Sequence, residues 1–61
     1  SSWKNDLEKI KALRFPSTEE FNEVISKCAR GRDFDAVLEV LQTMTDSGLT
    51  PTAQTYQAIV L

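Results

Sequence analysis

A chain of 61 residues that is 41% apolar and 26% charged, with a formal net charge of −2, is too apolar for a disordered tail and has the composition of a small soluble helical domain. Its single cysteine excludes an internal disulfide, and the absence of histidine removes the usual zinc ligand and general base. Apolar runs of only a few residues leave nothing to span a bilayer, so no membrane insertion is expected. A chain of this size buries roughly 60% of the surface its unfolded form exposes, which predicts a marginal unit that leans on a larger protein. The opening SSWKNDLEKI has an early acid and no long apolar core, unlike a signal or transit segment. Residues 1–17 carry a net charge of +2, residues 18–52 carry −4, and the last nine are uncharged, so no dense basic patch is expected.

The first predicted element is an amphipathic helix within residues 1–15. Trp3, Leu7, Ile10 and Leu13 recur every three to four residues, Lys9, Lys11 and Arg14 favour its C-terminal half, and Pro16 ends it. Ser17 with Glu20 then forms a capping-box signature, and Phe21, Val24, Ile25 and Cys28 make one apolar stripe on a second helix. Gly31 is expected to end that helix in the left-handed conformation. Asp33 is the predicted cap of a third helix, whose expected apolar face is Phe34, Val37, Leu38, Leu41 and Met44. Gly48 stops it, Leu49 folds back on its last turn, Pro51 follows, and Thr52 caps a fourth helix carrying Tyr56, Ile59 and Val60. No strand pattern competes, and the expected fold class is all-α, built of antiparallel helical hairpins.

The chain begins the same pattern twice. Pro16 and Pro51, Phe21 and Tyr56, Val24 and Ile59, and Ile25 and Val60 are each thirty-five residues apart, and Asn22 falls on Gln57. A fixed period of this size predicts stacked helical units that share apolar faces. The tetratricopeptide unit, at about 34 residues, has Gly and Tyr positions in its first helix that are missing here. The stretch TEEFNEVISKCARGRDFDAVLEVLQTMTDSGLTPT instead resembles a pentatricopeptide repeat, through Phe21-Asn22, Val24-Ile25, Arg30-Gly31, Phe34-Asp35, Met44 and Gly48-Leu49-Thr50-Pro51. The resemblance covers residues 18–52 as a complete hairpin and 53–61 as the truncated first helix of a following unit. It is weak over 1–17, a degenerate repeat or cap, where Leu13, Arg14 and Phe15 replace the glycine-aliphatic turn. It implies an α-α superhelix, a solenoid of such hairpins.

The residues themselves point away from catalysis. Cys28 lies on an apolar stripe, as a buried structural thiol does, rather than in a nucleophile's polar setting. Glu19, Glu20 and Glu23 read as a solvated first turn favoured by the helix dipole, with Glu20 used as a cap. No metal ligand set and no cofactor motif is present in the pattern, and a non-enzyme without cofactor is expected.

What the resemblance implies is binding of single-stranded RNA, about one base per repeat, since an unpaired base shows its edge to two or three side chains. By position, Asn22 and Thr52 would contact one base edge, Gln57 is the matching residue of the next unit, and Ser17 is the partner from the unit before. Glu19 and Gln54 occupy the base-flanking positions, where the family usually has a small aliphatic residue. Arg30 corresponds to a residue near the RNA backbone. Beside these stand plainer readings: Asn22 as an exposed polar residue of a first turn, and Arg30 as a helix-end cation on the dipole. The expected function is an RNA-binding module of an organellar factor, mitochondrial or chloroplast, for RNA processing, stability or translation. The alternative is a structural or docking repeat whose partners are neighbouring repeats or proteins of a larger organellar assembly.

Overall fold

The four helices are α1 (Trp3–Lys11), α2 (Thr18–Arg30), α3 (Phe34–Asp46) and α4 (Ala53–Ile59), and no strand occurs among the described residues. The computed structural model describes residues 2–60. Ser1 and Leu61, the outermost residues of the expected first and last segments, lie outside them. The helix boundaries keep the thirty-five-residue period: α1 and α3 end at Lys11 and Asp46, and α2 and α4 begin at Thr18 and Ala53. The first helix therefore stops well before Pro16, which leaves Leu13 beyond its end, off the apolar stripe and exposed.

Cap chemistry sets the starts. The Ser17 Oγ accepts from the Glu20 N–H at 3.3 Å, and the Glu20 carboxylate accepts from the Ser17 N–H at 2.8 Å, closing the expected capping box. Asp33 accepts from the Ala36 N–H at 3.1 Å to start α3. Thr52 and Thr55 form a second box at the start of α4.

Both hairpin helices end in the same hydrogen-bonded turn. At the end of α2, the Asp33 N–H donates to the Cys28 carbonyl and the Arg32 N–H to that of Ala29, each at 3.0 Å. At the end of α3, the Leu49 N–H donates to the Met44 carbonyl at 3.1 Å and the Gly48 N–H to that of Thr45 at 3.0 Å. This is the Schellman arrangement, and its pivot residue is left-handed. Gly48 fills that place with φ 85° as expected, but in the α2 turn the pivot is Arg32 with φ 60°, not Gly31, whose φ is −82°. The glycine sits one residue too early, and a residue with a Cβ carries the strained conformation.

Helix α2 lies at the centre and packs against α1, α3 and α4. It buries Phe21, Val24, Ile25, Cys28 and Ala29; α1 adds Leu7 and Ile10, and α3 adds Ala36, Val37, Val40 and Met44. The three-residue link between α2 and α3 makes them antiparallel neighbours. Two expected core faces are corrected. On α3 the covered stripe runs through Ala36, Val37, Val40 and Met44. Phe34 (46% exposed) and Leu38 (64% exposed) lie about a third of a turn away, where no helix covers them. On α4 Tyr56 is 55% exposed although Phe21, thirty-five residues earlier, is fully buried. Helix α4 has α2 on one side but lacks the second neighbour that α3 supplies to α2. Its inward face is Thr55, Ala58 and Ile59, and Val60 also points outward.

The turns give a direct test by urea unfolding. Gly31→Ala is expected to be neutral or stabilising by up to about 1 kcal/mol, because a Cβ there meets only ordinary contacts, the nearest at 3.6 Å. Gly48→Ala has open space around its Cβ yet is expected to lose about 1 kcal/mol through its positive φ. Arg32→Gly should gain about 0.5–1 kcal/mol by relieving the left-handed arginine. Equal losses for the two glycine variants would show that this assignment of the pivot is wrong.

Candidate nucleic-acid interface

The N-terminal turns of α2 and α4 meet in a three-residue polar cluster. Asn22 lies in the second turn of α2 and is half-buried. Its side-chain oxygen accepts a 2.5 Å hydrogen bond from the hydroxyl of Thr55 on α4. Thr55 is fully buried, the one buried polar side chain among the described residues. Its Oγ1 also accepts from the Thr52 N–H at 3.0 Å and lies 3.2 Å from the Thr52 hydroxyl. Thr52 in turn accepts from the Thr55 N–H at 3.3 Å. A hydroxyl has one proton to give. Since that of Thr55 goes to Asn22, the Thr52 hydroxyl is the donor in the contact between the two threonines.

This cluster joins Asn22 and Thr52, the two residues that the family resemblance implies would share one base. The residue that links them, Thr55, escapes a reading by apolar periodicity because a threonine in a first turn looks like a solvent-facing cap. The available signal is the T-x-x-T spacing of Thr52 and Thr55, a capping box without a carboxylate. The other positions fall elsewhere. Gln54 and Gln57 are exposed on α4, and Glu19 is exposed on the first turn of α2. Ser17 is occupied as a cap, its hydroxyl also donating to Glu20 at 2.9 Å. Arg30 is exposed at the far end of α2, about 12 Å along the axis from Asn22, where its Nη1 donates to Ser26 at 2.7 Å. The structure therefore brings Asn22 and Thr52 together and keeps Arg30 apart from them.

A cleft of about 280 Å³ lies between α1 and α2, lined by Ile10 and Val24 with Asp6, Lys9, Glu20, Glu23 and Lys27 around it. Lys27 is ion-paired with Asp6 across the two helices. That hydrogen bond, stronger than the opposing effect of partial desolvation, holds the Asp6 carboxyl below its ordinary value of 3.8. Glu20 is already committed to its cap on Ser17. Cys28 is buried nearby, and desolvation pushes its thiol up, away from the reactive thiolate form. No group of three metal-ligating side chains occurs among the described residues. No helix there is long and apolar enough to cross a membrane. No family model, no curated protein and no solved structure matches the chain.

The Asp6–Lys27 pair sets a pH signature. A carboxyl whose folded pKa is depressed adds stability above its unfolded value and loses it as pH falls through the folded one. Lys27→Met is therefore expected to be less stable than wild type at pH 7, with the gap closing as pH falls below 3.8. Urea melts across pH measure it; a gap that stays constant into acid would show that the pair contributes nothing.

Proposed function

We propose that the chain is a helical-repeat module of the pentatricopeptide type, part of an α-α superhelix that binds single-stranded RNA at about one base per repeat. On this reading it serves an organellar RNA-processing, stability or translation factor. The observation that carries the reading is the hydrogen-bonded group Asn22–Thr55–Thr52, which sets an amide and a hydroxyl side by side where two helices of successive units meet. The repeated helix boundaries support it, since a fixed period puts equivalent side chains at regular steps along one rim. An amide and a hydroxyl are suited to the Watson–Crick edge of an unpaired base. Resemblance to the family favours a pyrimidine at an asparagine of this position. Arg30 stands off at the other end of α2, suited to a phosphate rather than to the base.

A second reading, a docking repeat in a larger assembly, is favoured by the exposed Phe34 and Leu38 on α3, Tyr56 on α4 and Val60 just after it, and by the acidic Glu19 in the first turn of α2.

Titration of the chain with oligouridylate, oligocytidylate and oligoadenylate, followed by NMR across salt concentrations, separates the two. RNA binding predicts affinity that falls with salt, a pyrimidine preference lost in Asn22→Ala, and a log–log salt slope shallower by about 0.7 in Arg30→Gln. Absence of binding to any of the three oligomers would reject the RNA reading. Preserved RNA affinity in Leu38→Glu would separate the exposed apolar face from it.

A further inference from the structure

We propose that the open face of α3 docks a basic amphipathic helix of a partner protein, with Phe34 and Leu38 as anchors and Asp35, Glu39 and Asp46 as the charged flank. The docking reading is its basis, and the partner's chemistry is what it adds. Phe34, Leu38 and Leu41 stand at i, i+4 and i+7, which sets them in one row along α3. Phe34 and Leu38 are exposed, and only Leu41 reaches the core. Helix α1 carries the same kind of row, an aromatic, a leucine and an aliphatic residue at Trp3, Leu7 and Ile10. There the row is covered, because α2 lies on it and Leu7 and Ile10 are buried. Lys27 of α2 also reaches Asp6 of α1 as an ion pair. The chain thus shows within itself how such a row is met: by a helix that brings apolar residues and a lysine.

The charge beside the open row is one-sided. Asp35, Glu39 and Asp46 lie about 100° round the helix from it, all exposed, and α3 has no basic residue to answer them. Asp46 stands at the negative end of the helix dipole, where a cation is favoured. Helix α4 is uncharged. A partner helix with lysine or arginine beside its own apolar row neutralises these acids while it covers Phe34 and Leu38. The same acids repel a phosphate backbone, so this face is not where RNA would lie. A second copy of the chain fits poorly. Its α3 repeats the three acids, its α1 row already lies against α2, and the rest of α1 has no large apolar residue to offer.

NMR titration of the 61-residue chain tests this with three synthetic amphipathic helices of about 14 residues, alike in a leucine face and carrying lysine, glutamine or glutamate elsewhere. The lysine helix is expected to shift signals along Phe34–Asp46. It should bind about tenfold tighter than the glutamine helix, the size that two or three exposed ion pairs can give, with the gap closing as salt rises. The glutamate helix should not bind. Leu38→Ala is expected to weaken both binders. Asp35→Asn with Glu39→Gln, both exposed positions, should remove the lysine advantage and spare the glutamine helix. Glu8→Gln, on the exposed side of α1, should change neither. Equal affinities for the lysine and glutamine helices overturn the basic partner and leave a docking face. Shifts that map away from α3 overturn the site, and no binding by any helix overturns the docking reading with it. Concentration-dependent shifts on α3 without peptide would name a second copy as the occupant and overturn the proposal.

Discussion

The burial of α2 on three sides is the constraint on which the rest of the chain depends. Phe21 and Ile25 are fully buried, and the residues that cover them come from separate helices that have little contact with one another. Truncating a buried phenylalanine typically costs about 3–5 kcal/mol. A chain of 61 residues has of the order of 3–9 kcal/mol in all, so the packing around this one helix accounts for most of the stability available. The polar contacts act within that frame: capping boxes and turns fix where α2 begins and ends, and the Asp6–Lys27 pair ties α1 across it.

The principal-axis extents are 31 × 26 × 15 Å. With Cα atoms on a cylinder about 5 Å across and helix axes about 10 Å apart, a 15 Å dimension holds two helix layers and no more. Helices of such a two-layer arrangement are covered on one side. This is why Leu38 and Tyr56 stand exposed while their own helices are well packed on the α2 side. The same geometry puts the N-terminal turns of α2 and α4 next to each other at one rim, where Asn22 and Thr55 meet.

Local chemistry was the legible part of the sequence. Ser17, Asp33 and Thr52 cap their helices and Gly48 takes the left-handed pivot, because each of these roles depends on residues within one turn. The left-handed Arg32 was not legible: glycine is the usual pivot, and the one-residue shift follows from where the hydrogen bonds of α2 run out. Periodicity named the buried stripe of α2 because that helix is covered almost all round. It misassigned Phe34, Leu38 and Tyr56 because a hydrophobic stripe records what a helix can bury, not which neighbours are present. Of the candidate site, Asn22 and Thr52 are reached through the resemblance to a repeat family rather than from the thirty-five-residue register alone. Their link through Thr55 could be read from neither, since it joins residues 33 apart in sequence across two helices.

The register also locates where the two units differ. One period before Thr55 stands Glu20, whose carboxylate turns back to accept from the Ser17 amide and hydroxyl. An ionised carboxylate has no proton to donate, so it cannot hold an asparagine carbonyl as the Thr55 hydroxyl does. One period after Asn22 stands Gln57, exposed and with one more rotatable bond than asparagine. A free glutamine loses more side-chain entropy on ordering and can present either end of its amide. On the proposed reading, base discrimination is then concentrated at Asn22, which is already tied to α4 through Thr55, and Gln57 tolerates more than it selects. The two segments share a period and a capping scheme, but the hydroxyl that ties an amide of one helix to the start of the next is present in only one of them.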